Sequence, residues 1–335
     1  MKIREIELKN DVILGPMAGI TNQAFRELVI QEGIALVYSE MVSDKAICYR
    51  NEKTMKMLEV SEKEHPFSMQ LFGHDMDSMV QAAEYIDQNV SCEIIDINMG
   101  CPMPKITSNG AGSALMREPQ YAYELIHEIV THVQKPVTVK IRSGWDENSI
   151  NAPEVAVLME KAGVSAIAVH GRTRKQLYEG KADWDVIRRV KEAVSVPVIG
   201  NGDVASYDDK MRMEVLTGCD GVMVARAICG NPWLVKELIT GRKSEVNVQE
   251  RLEMLVTHMN KLIDLKGEYI GVREMRGQSG WYLSGLPYNN RMKDLLNHVR
   301  TKDEIIQLLG SYEQILLLDK EEQKAAIEAL RNRGA

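Results

Sequence analysis

The chain lacks the sequence features of secreted, membrane-spanning and zinc-binding proteins. Its five cysteines are odd in number and none stands in a C-x-x-C pair, so neither a disulfide framework nor a metal site is predicted. No apolar run approaches the roughly 20 residues that a membrane span needs. Residues 1–11 also lack the apolar core of a signal peptide. A cytoplasmic protein without a membrane segment is therefore predicted.

A strong positive charge is also missing. The net charge of the 335 residues is −7, whereas nucleic-acid-binding proteins usually carry a basic footprint. The acidic excess lies within residues 1–242, because from Lys243 onward basic and acidic residues number 14 each. The composition therefore permits a local basic surface on an acidic protein.

What the chain does contain is a regular alternation of short β-branched runs with longer helical patterns. Gly163 and Gly218 are predicted to end two of these helices. Eight strand–helix units in about 240 residues are typical of a (β/α)8 TIM barrel, which we predict over residues 1–242. A doubly wound sheet is the alternative, but its G-x-G-x-x-G turn is absent after the first strand. The predicted strands are Val12–Leu14, Ala35–Ser39, Phe67–Leu71, Glu93–Asn98, Val137–Ile141, Ala166–His170, Val196–Gly200 and Gly221–Ala225.

One turn presents a cysteine at the predicted active end of the barrel. Residues 96–102 read DINMGCP, so an apolar strand ends in a glycine-containing turn that carries Cys101. In such barrels the chemistry lies at the carboxyl ends of the strands. A thiol with a pKa of about 8.5 is protonated at neutral pH and can donate a proton to a carbanion-like carbon. We therefore predict that Cys101 is a proton donor beside a flavin; a packed small side chain and a nucleophile are the alternatives.

Two further strand ends carry groups that suit a flavin. Lys140 lies on the apolar strand Val137–Ile141, and barrel interiors seldom hold a lysine without an anionic partner. A lysine there can stabilise the flavin N1–C2=O edge, which becomes anionic on reduction. The alternative is a structural pair with a barrel carboxylate such as Asp96. Gln70 ends another strand, where its amide can bind flavin carbonyl and N–H groups or cap a loop.

The last three predicted strands end in residues that suit phosphate groups. Ile199–Asp203 and Gly221–Arg226 contain glycines that let backbone N–H groups approach a phosphate closely, and Arg226 adds a charged clamp. His170–Arg174 reads HGRTR, which predicts a histidine on the cofactor and arginines on the phosphates of a large substrate. Ordinary βα turns and a hydrogen-bonded histidine are the alternatives.

Beyond residue 242 the pattern changes to helices alone. Asn247–Glu250 is similar to a capping box, and an apolar stripe at helical spacing follows it. We predict a small all-helical domain over residues 243–335. Its further predicted helices lie near Met275–Leu283, Lys302–Leu309 and Tyr312–Leu318.

A set of motifs runs in order across residues 12–233. The stretches are LGPMAGITNQAFR (14–26), SEMVSDKAI (39–47), QLFGHD (70–75), DINMGCPMPKI (96–106), VTVKIRSGWD (137–146), VHGRTRKQLYEGKADW (169–184), IGNGDV (199–204) and VARAICGNPW (224–233). N-x-G-C-P together with HGRTR is far more specific than a barrel pattern. The chain therefore resembles the tRNA-dihydrouridine synthases, and within them the bacterial B-type subgroup.

The resemblance implies FMN as cofactor, NADPH (or NADH) as reductant, and reduction of the uracil C5–C6 bond in the D-loop of tRNA by a monomer. Hydride would pass from FMN N5 to C6 and a proton from Cys101 to C5, after the base has left its stack. The implied cofactor-binding residues are Pro16, Met17, Ala18, Gln70, Lys140, His170, Asn201, Gly202, Asp203, Ala225 and Arg226. The implied substrate residues are Asn98 for the uracil, and Lys105, Arg172, Arg174, Arg273 and Arg276 for RNA.

The chain departs from the B-type pattern after Arg276. That pattern usually continues with Lys-His, whereas this chain continues with Gly277–Gly280, which reads GQSG. Two basic residues are absent from the expected RNA face, and two glycines stand in a predicted helix at a cost of about 1 kcal/mol each. We expect weaker phosphate contacts and a lower salt dependence of RNA binding.

Two other functions compete with this interpretation. A flavin reductase of the dihydroorotate-dehydrogenase kind shares the barrel and FMN, but it is expected to lack both HGRTR and the helical tail. A non-catalytic RNA-binding protein would keep the fold without a flavin. Ribosomal RNA is an alternative substrate for a synthase.

Overall fold

In the computed structural model, which describes residues 1–333, the first part of the chain forms a parallel β-barrel. The chain begins with an antiparallel hairpin of two short strands, β1 (Lys2–Ile3) and β2 (Ile6–Glu7). The strands that follow are β3 (Val12–Leu14), β4 (Val37–Tyr38), β5 (Val42–Ser43), β6 (Phe67–Phe72), β7 (Ile94–Met99), β8 (Val137–Arg142), β9 (Ala166–His170), β10 (Val198–Asn201) and β11 (Gly221–Val224). Eight of these form the wall of the barrel, and β5 pairs with the end of β6.

The wall closes between its first and second strands. Each of the other neighbouring pairs is parallel, and a parallel bridge between Ile13 and Leu36 joins β3 to the residues before β4. The Leu14 N–H donates to the Leu36 carbonyl at 3.0 Å, which completes the ring. All eight predicted barrel strands are confirmed, each within two residues at both ends.

Helices cover the outside of the barrel. Gly163 and Gly218 end two of them with φ of 99° and 67°, as predicted, because glycine adopts this left-handed region without a Cβ penalty. The helices are α1 (Gln23–Gln31), α2 (Asp44–Cys48), α3 (Glu52–Met57), α4 (Met76–Asn89), α5 (Pro104–Thr107), α6 (Pro119–His132), α7 (Ala152–Ala162), α8 (Trp184–Ala193), α9 (Tyr207–Thr217) and α10 (Leu234–Thr240). Two 3-10 turns, Gly112–Arg117 and Arg226–Ile228, complete the set.

An apolar core lies inside the barrel, toward the amino ends of its strands. Alternate residues of the wall point inward, and the N-terminal hairpin adds Ile3 and Leu8 to the same cluster. Burying these side chains excludes water from the lower half of the barrel. The polar residues nearer the carboxyl ends of the strands therefore lie above a buried apolar layer.

The rest of the chain forms helices only. Residues 228–233 and the chain from Lys243 onward make a second compact unit. Its helices are α11 (Val248–Lys266), α12 (Glu268–Tyr282), α13 (Asn289–His298), α14 (Lys302–Leu316) and α15 (Lys320–Arg333). The capping box predicted at Asn247 is present, with both of its reciprocal hydrogen bonds to Glu250. In the described part of the chain no helix combines the length and apolarity of a membrane span.

Two helices of this unit differ from their predicted extents. The stretch from Lys302 to Leu316 is one helix rather than two. The helix continues through Gly310, where an added Cβ would meet no neighbouring atom within 4 Å. Helix α12 starts seven residues earlier than predicted and runs unbroken through Gly277 and Gly280. A Cβ at Gly280 would lie 2.7 Å from Lys293 Cε, so this glycine allows the lysine stem to pass close to α12.

Candidate active site

The register of three neighbouring strands places polar side chains side by side inside the barrel. Gln70 pairs with Asp96 across β6 and β7, and Asp96 pairs with Thr138 across β7 and β8. Gln70 Nε2 donates to Asp96 Oδ2 at 2.7 Å, and Thr138 Oγ1 donates to Asp96 Oδ1 at 2.6 Å. All three side chains are buried, and burial raises the pKa of Asp96 to about 7 against the effect of these hydrogen bonds.

Asn98 links this row to the turn that carries Cys101. Its Nδ2 donates to Gln70 Oε1 at 2.8 Å, and its Oδ1 accepts from the backbone N–H groups of Gly100 at 3.1 Å and Cys101 at 2.8 Å. On the other side of the turn, Ser113 Oγ donates to the Cys101 carbonyl at 2.9 Å. Burial raises the pKa of the Cys101 thiol above its ordinary value. The turn therefore holds a half-buried thiol that is protonated at neutral pH.

Lys140 lies two residues after Thr138 on β8 and so points to the same side of the wall. Its Nζ donates to Asn201 Oδ1 at 3.2 Å. Burial and, after it, the nearby Arg142 lower the pKa of Lys140 to about 8, while Asp96 favours the charged form. No ion pair joins Lys140 to Asp96 or to another carboxylate within residues 1–333. The structural pairing considered as an alternative is therefore absent.

His170 and Arg172, at the end of β9, are both buried. The Arg172 guanidinium donates to Asp203 at 2.7 Å and to the carbonyls of Glu179 at 3.0 Å and Gly180 at 2.6 Å. Burial, followed by the surrounding cations, lowers the pKa of His170 far below its usual range, so its imidazole is neutral. The Arg172 side chain is 2% exposed and its guanidinium is bound to groups of the protein, so it offers little surface to RNA, and its implied contact with RNA stays a prediction.

A turn follows β10, and an exposed cation, Arg226, follows β11. Gly202 has a φ of 125°, and a Cβ there would lie 2.6 Å from Ala182 Cβ, so only glycine fits. Asp203 accepts from the Ala182 N–H at 2.7 Å. Arg226 is 55% exposed, and its guanidinium lies 3.7 Å from Asp203. Ala225, half-buried, precedes it, so this edge offers a cation to a ligand.

The residues after β3 lie at the same end of the barrel. The Gly15 N–H donates to the Val224 carbonyl of β11 at 2.7 Å, which brings the two strand ends together. Pro16 and Met17 are partly buried and Ala18 is exposed. All eleven implied cofactor-binding residues thus follow, or end, strands of one barrel face, although their roles stay predictions. In residues 1–333 no group of His, Cys, Asp and Glu side chains is arranged to hold a metal ion.

Comparison with known proteins agrees with this arrangement. A model of the dihydrouridine synthase family matches residues 13–318, which is most of the chain. This chain belongs to the dihydrouridine synthase family. The predicted resemblance is thereby confirmed.

Several relatives of this dihydrouridine synthase are similar along most of their length. A probable tRNA-dihydrouridine synthase of Rickettsia conorii is 40% identical over 303 residues, 89% of this chain and 91% of the relative. The tRNA-dihydrouridine synthase B of Shewanella oneidensis is 40% identical over 318 residues, 93% of this chain and 98% of the relative. A solved 2-naphthoyl-CoA reductase complex shares the fold, with a TM-score of 0.59 at 11% identity over 72% of this chain and 52% of that chain.

The sequence placed Arg142 at the end of a predicted strand but assigned it no role in the dihydrouridine synthase site, where it is a central residue. Its side chain is 2% exposed and donates to the carbonyls of Gly100 at 2.8 Å, Thr173 at 2.7 Å and Leu177 at 2.8 Å. Its guanidinium also lies 5.8 Å from the centre of the Tyr178 ring, which is exposed. The available signal was a second cation two residues after the lysine of the same strand. Arg142 joins the cysteine turn to the loop after β9.

Two of the implied RNA-facing residues of the barrel are accessible. Lys105 is exposed on α5. Arg174 is partly buried, and its guanidinium lies 4.7 Å from the centre of the Trp145 ring, which Arg117 also approaches at 4.8 Å. Trp145 and Arg117 carried no sequence signal, because their partners come from three separate loops.

The remaining two implied RNA contacts lie on α12 of the second unit. Arg273 is exposed and its guanidinium stacks 5.0 Å from the centre of the Tyr269 ring. Arg276 is partly buried and donates to the carbonyl of Val299 at the end of α13. Arg276 therefore binds a carbonyl at the C-terminus of α13 that has no partner within the helix. Contact of Arg273 or Arg276 with RNA stays a prediction.

Proposed function

We propose that this dihydrouridine synthase reduces the C5–C6 double bond of uridine in the D-loop of tRNA, with FMN as cofactor and NADPH as reductant. Family membership makes the chain a flavin-dependent oxidoreductase that forms dihydrouridine in tRNA. The choice of FMN, the reductant and the D-loop target go beyond that assignment. We also propose that it acts as a monomer in the cytoplasm.

The observation that best supports a bound flavin is the cation at Lys140, which forms no ion pair with a carboxylate in the described part of the chain. The hydrogen bond from its Nζ goes to the neutral amide of Asn201, and its lowered pKa reports the cost of burying its charge. A buried cation is unfavourable unless an anionic group compensates it. The edge of a reduced flavin carries such a charge, and the amide of Gln70 offers a neighbouring hydrogen-bonding group. The residues present therefore fit this cofactor.

A phosphate of the cofactor would be held at the ends of β10 and β11. Arg226 is exposed there and is not fully engaged by Asp203, since their closest atoms are 3.7 Å apart. Gly202, with a φ of 125°, forms the adjoining turn, whose backbone N–H groups would bind the phosphate. The neutral imidazole of His170 would contact the ligand as a hydrogen-bonding group without adding to the positive charge.

The chemical step assigned to the protein is proton donation by Cys101. When bound, FMN would supply the hydride that uracil C6 accepts. The Cys101 thiol donates its proton to C5, and its raised pKa keeps it protonated until that step. Asn98 holds the turn of this thiol and would place the uracil, while Gln70 and Lys140 orient the cofactor.

The RNA must deliver a single unstacked base to this pocket. Lys105 and Arg174 are accessible around it and would bind phosphates. Arg273 and Arg276 of the helical domain, residues 243–335, would provide further contacts to the shape and phosphates of tRNA.

The test is a map of dihydrouridine across all RNA of cells that lack the gene, with wild-type and Cys101→Ala copies restored separately. We expect specific D-loop sites to vanish and to return with the wild-type copy only, because loss of a general acid costs about 10²–10⁴-fold in rate. The purified Cys101→Ala enzyme should stay yellow and still oxidise NADPH.

The matched control is Cys48→Ala, which removes another half-buried thiol outside the barrel mouth. It should restore every site. Normal dihydrouridine formation by the Cys101→Ala enzyme would exclude the proton-donor role. Unchanged tRNA with altered ribosomal RNA, or turnover of a free pyrimidine instead, would replace the proposed substrate.

A further inference from the structure

We propose that Asp96 is a positioning residue that orients the Cys101 turn through the amides of Gln70 and Asn98. This inference rests on the proposed role of Cys101 as proton donor. Asp96 lies within the barrel wall and is fully buried, so it contacts neither solvent nor RNA. It acts through three hydrogen bonds in series. The Cys101 N–H donates to Asn98 at 2.8 Å, Asn98 donates to Gln70 at 2.8 Å, and Gln70 donates to Asp96 at 2.7 Å.

The chemistry of the two ends fixes the direction of this series. At one end, the N–H groups of Gly100 and Cys101 can only donate. At the other end, Asp96 accepts from Gln70 when it is ionised, and also when it is protonated on Oδ1 and donates that proton to Thr138. The two amides between them must each turn their NH2 group toward Asp96 and their oxygen toward Cys101. No other orientation satisfies all the groups, so Asp96 and the N–H groups of the turn together set the orientation of both amides.

This orientation decides which atoms remain for ligands. Since Gln70 Oε1 accepts from Asn98 and Gln70 Nε2 donates to Asp96, one N–H and one oxygen lone pair of this amide stay available. Reversing the amides would turn an NH2 group against the N–H groups of the turn. Two donors would then face each other, and the turn would lose its fixed position.

Thr138 binds the other oxygen of the same carboxylate. Its Oγ1 donates to Asp96 Oδ1 at 2.6 Å, whereas Gln70 donates to Oδ2. The Thr138 hydroxyl can donate or accept, which makes it a matched control. In Asp96→Asn the new amide can donate to Thr138 and still accept from Gln70. In Asp96→Leu no acceptor remains. Thr138→Val removes a contact of similar burial but leaves the series intact.

Two measurements on the purified holoenzyme test the proposal. The first is kcat and KM for tRNA: we expect Asp96→Leu to lower kcat at least tenfold with KM within threefold, and Asp96→Asn and Thr138→Val each to stay within threefold of wild type. The second is alkylation by iodoacetamide at pH 8, followed peptide by peptide. In Asp96→Leu the Cys101 rate should rise at least fivefold, because a released thiol loses the burial that raises its pKa, while buried Cys92 stays unreactive.

The alkylation rate does not depend on dihydrouridine formation, so failure of this inference is distinguishable from failure of the proposed function. If Asp96→Leu does not fold, the double variant Asp96→Asn/Thr138→Val replaces it. Without the hydroxyl to hold its NH2 group, the new amide can reverse, and we expect at least a tenfold loss of kcat, more than the product of the single effects.

Three results would overturn the proposal. Wild-type kcat and alkylation in Asp96→Leu would show that the series is dispensable. Equal loss in Asp96→Asn and Asp96→Leu would assign the effect to the charge of Asp96 rather than to its acceptor atoms. Faster alkylation of both Cys101 and Cys92, or multiplicative effects in the double variant, would indicate general loosening of the barrel.

Discussion

The clearest quantitative prediction concerns Lys140 and the pH dependence of FMN binding. In the protein without ligand, burial lowers the pKa of Lys140 from 10.5 to about 8. Each pKa unit corresponds to about 1.4 kcal/mol, so the environment disfavours the charged amine by about 3 kcal/mol. The N1–C2=O edge of reduced FMN is anionic, and beside Nζ it removes that penalty and returns the pKa toward its ordinary value.

The sign follows from linkage. The depressed pKa is that of Lys140 in the free protein. Above pH 8 the reduced FMN must therefore bind together with a proton, and the affinity of the protein for it falls as the pH rises. With pKa values of about 8 free and 10.5 bound, the charged fraction of the free protein drops from about nine-tenths at pH 7 to about one-tenth at pH 9. The affinity should therefore fall about tenfold across that range.

The assay is anaerobic ultrafiltration of dithionite-reduced FMN with flavin-free enzyme at pH 7, 8 and 9, which gives the bound and free fractions. Lys140→Met should bind FMN about 10–100-fold more weakly at pH 7, since it loses a hydrogen bond to a charged group, and its affinity should not vary across this range. Lys105→Ala, which removes an exposed lysine, should keep the wild-type profile. A flat wild-type profile, or an unchanged slope in Lys140→Met, would refute the reasoning.

Two further predictions concern the stability of each unit. Gly277→Ala should raise the free energy of unfolding of the helical unit by about 1 kcal/mol, because Gly277 lies inside α12 with open space around it, whereas Gly271→Ala should lower it, because its Cβ would lie 2.8 Å from a backbone nitrogen. Urea unfolding followed by circular dichroism measures both, and stabilisation by both substitutions would contradict the argument. Lys210→Met should destabilise the barrel by about 1–2 kcal/mol at pH 8, after discounting for partial exposure, because Asp11 and Glu214 lose the cation between them. The loss should shrink at pH 5, where the two carboxyl groups can share a proton; an equal loss at both pH values in thermal unfolding would argue against this.

The barrel could be predicted from the sequence because its signal is local. Each strand is a short apolar run followed by a helical pattern, and the order of the runs is the order of the strands in the wall. The Cys101 turn was also visible, since glycine and proline flank the thiol. The single helix over Lys302–Leu316 was not, because a glycine such as Gly310 breaks a sequence pattern without breaking a helix that has other support.

The network around the site could not be predicted because it depends on register. Asp96 and Thr138 are 42 positions apart, and only strand pairing brings their side chains into contact. Arg172 was expected to face RNA because the HGRTR motif and the family resemblance indicate arginines on the phosphates of a large substrate. Its pairing with Asp203 and two carbonyls depends on how two loops fold together, which no spacing in the sequence records.

The contacts of Arg142 have a consequence for how this enzyme can vary or be redesigned. Its guanidinium holds the loops of the pocket through main-chain carbonyls, and Leu177 presents its carbonyl from a left-handed conformation with φ of 50°. Since Leu177 is 39% exposed and its side chain takes no part in the clamp, position 177 can accept many substitutions as long as the backbone path is kept. Libraries that randomise side chains there, with glycine or asparagine favoured at 177, should preserve the pocket, whereas insertions or deletions should not.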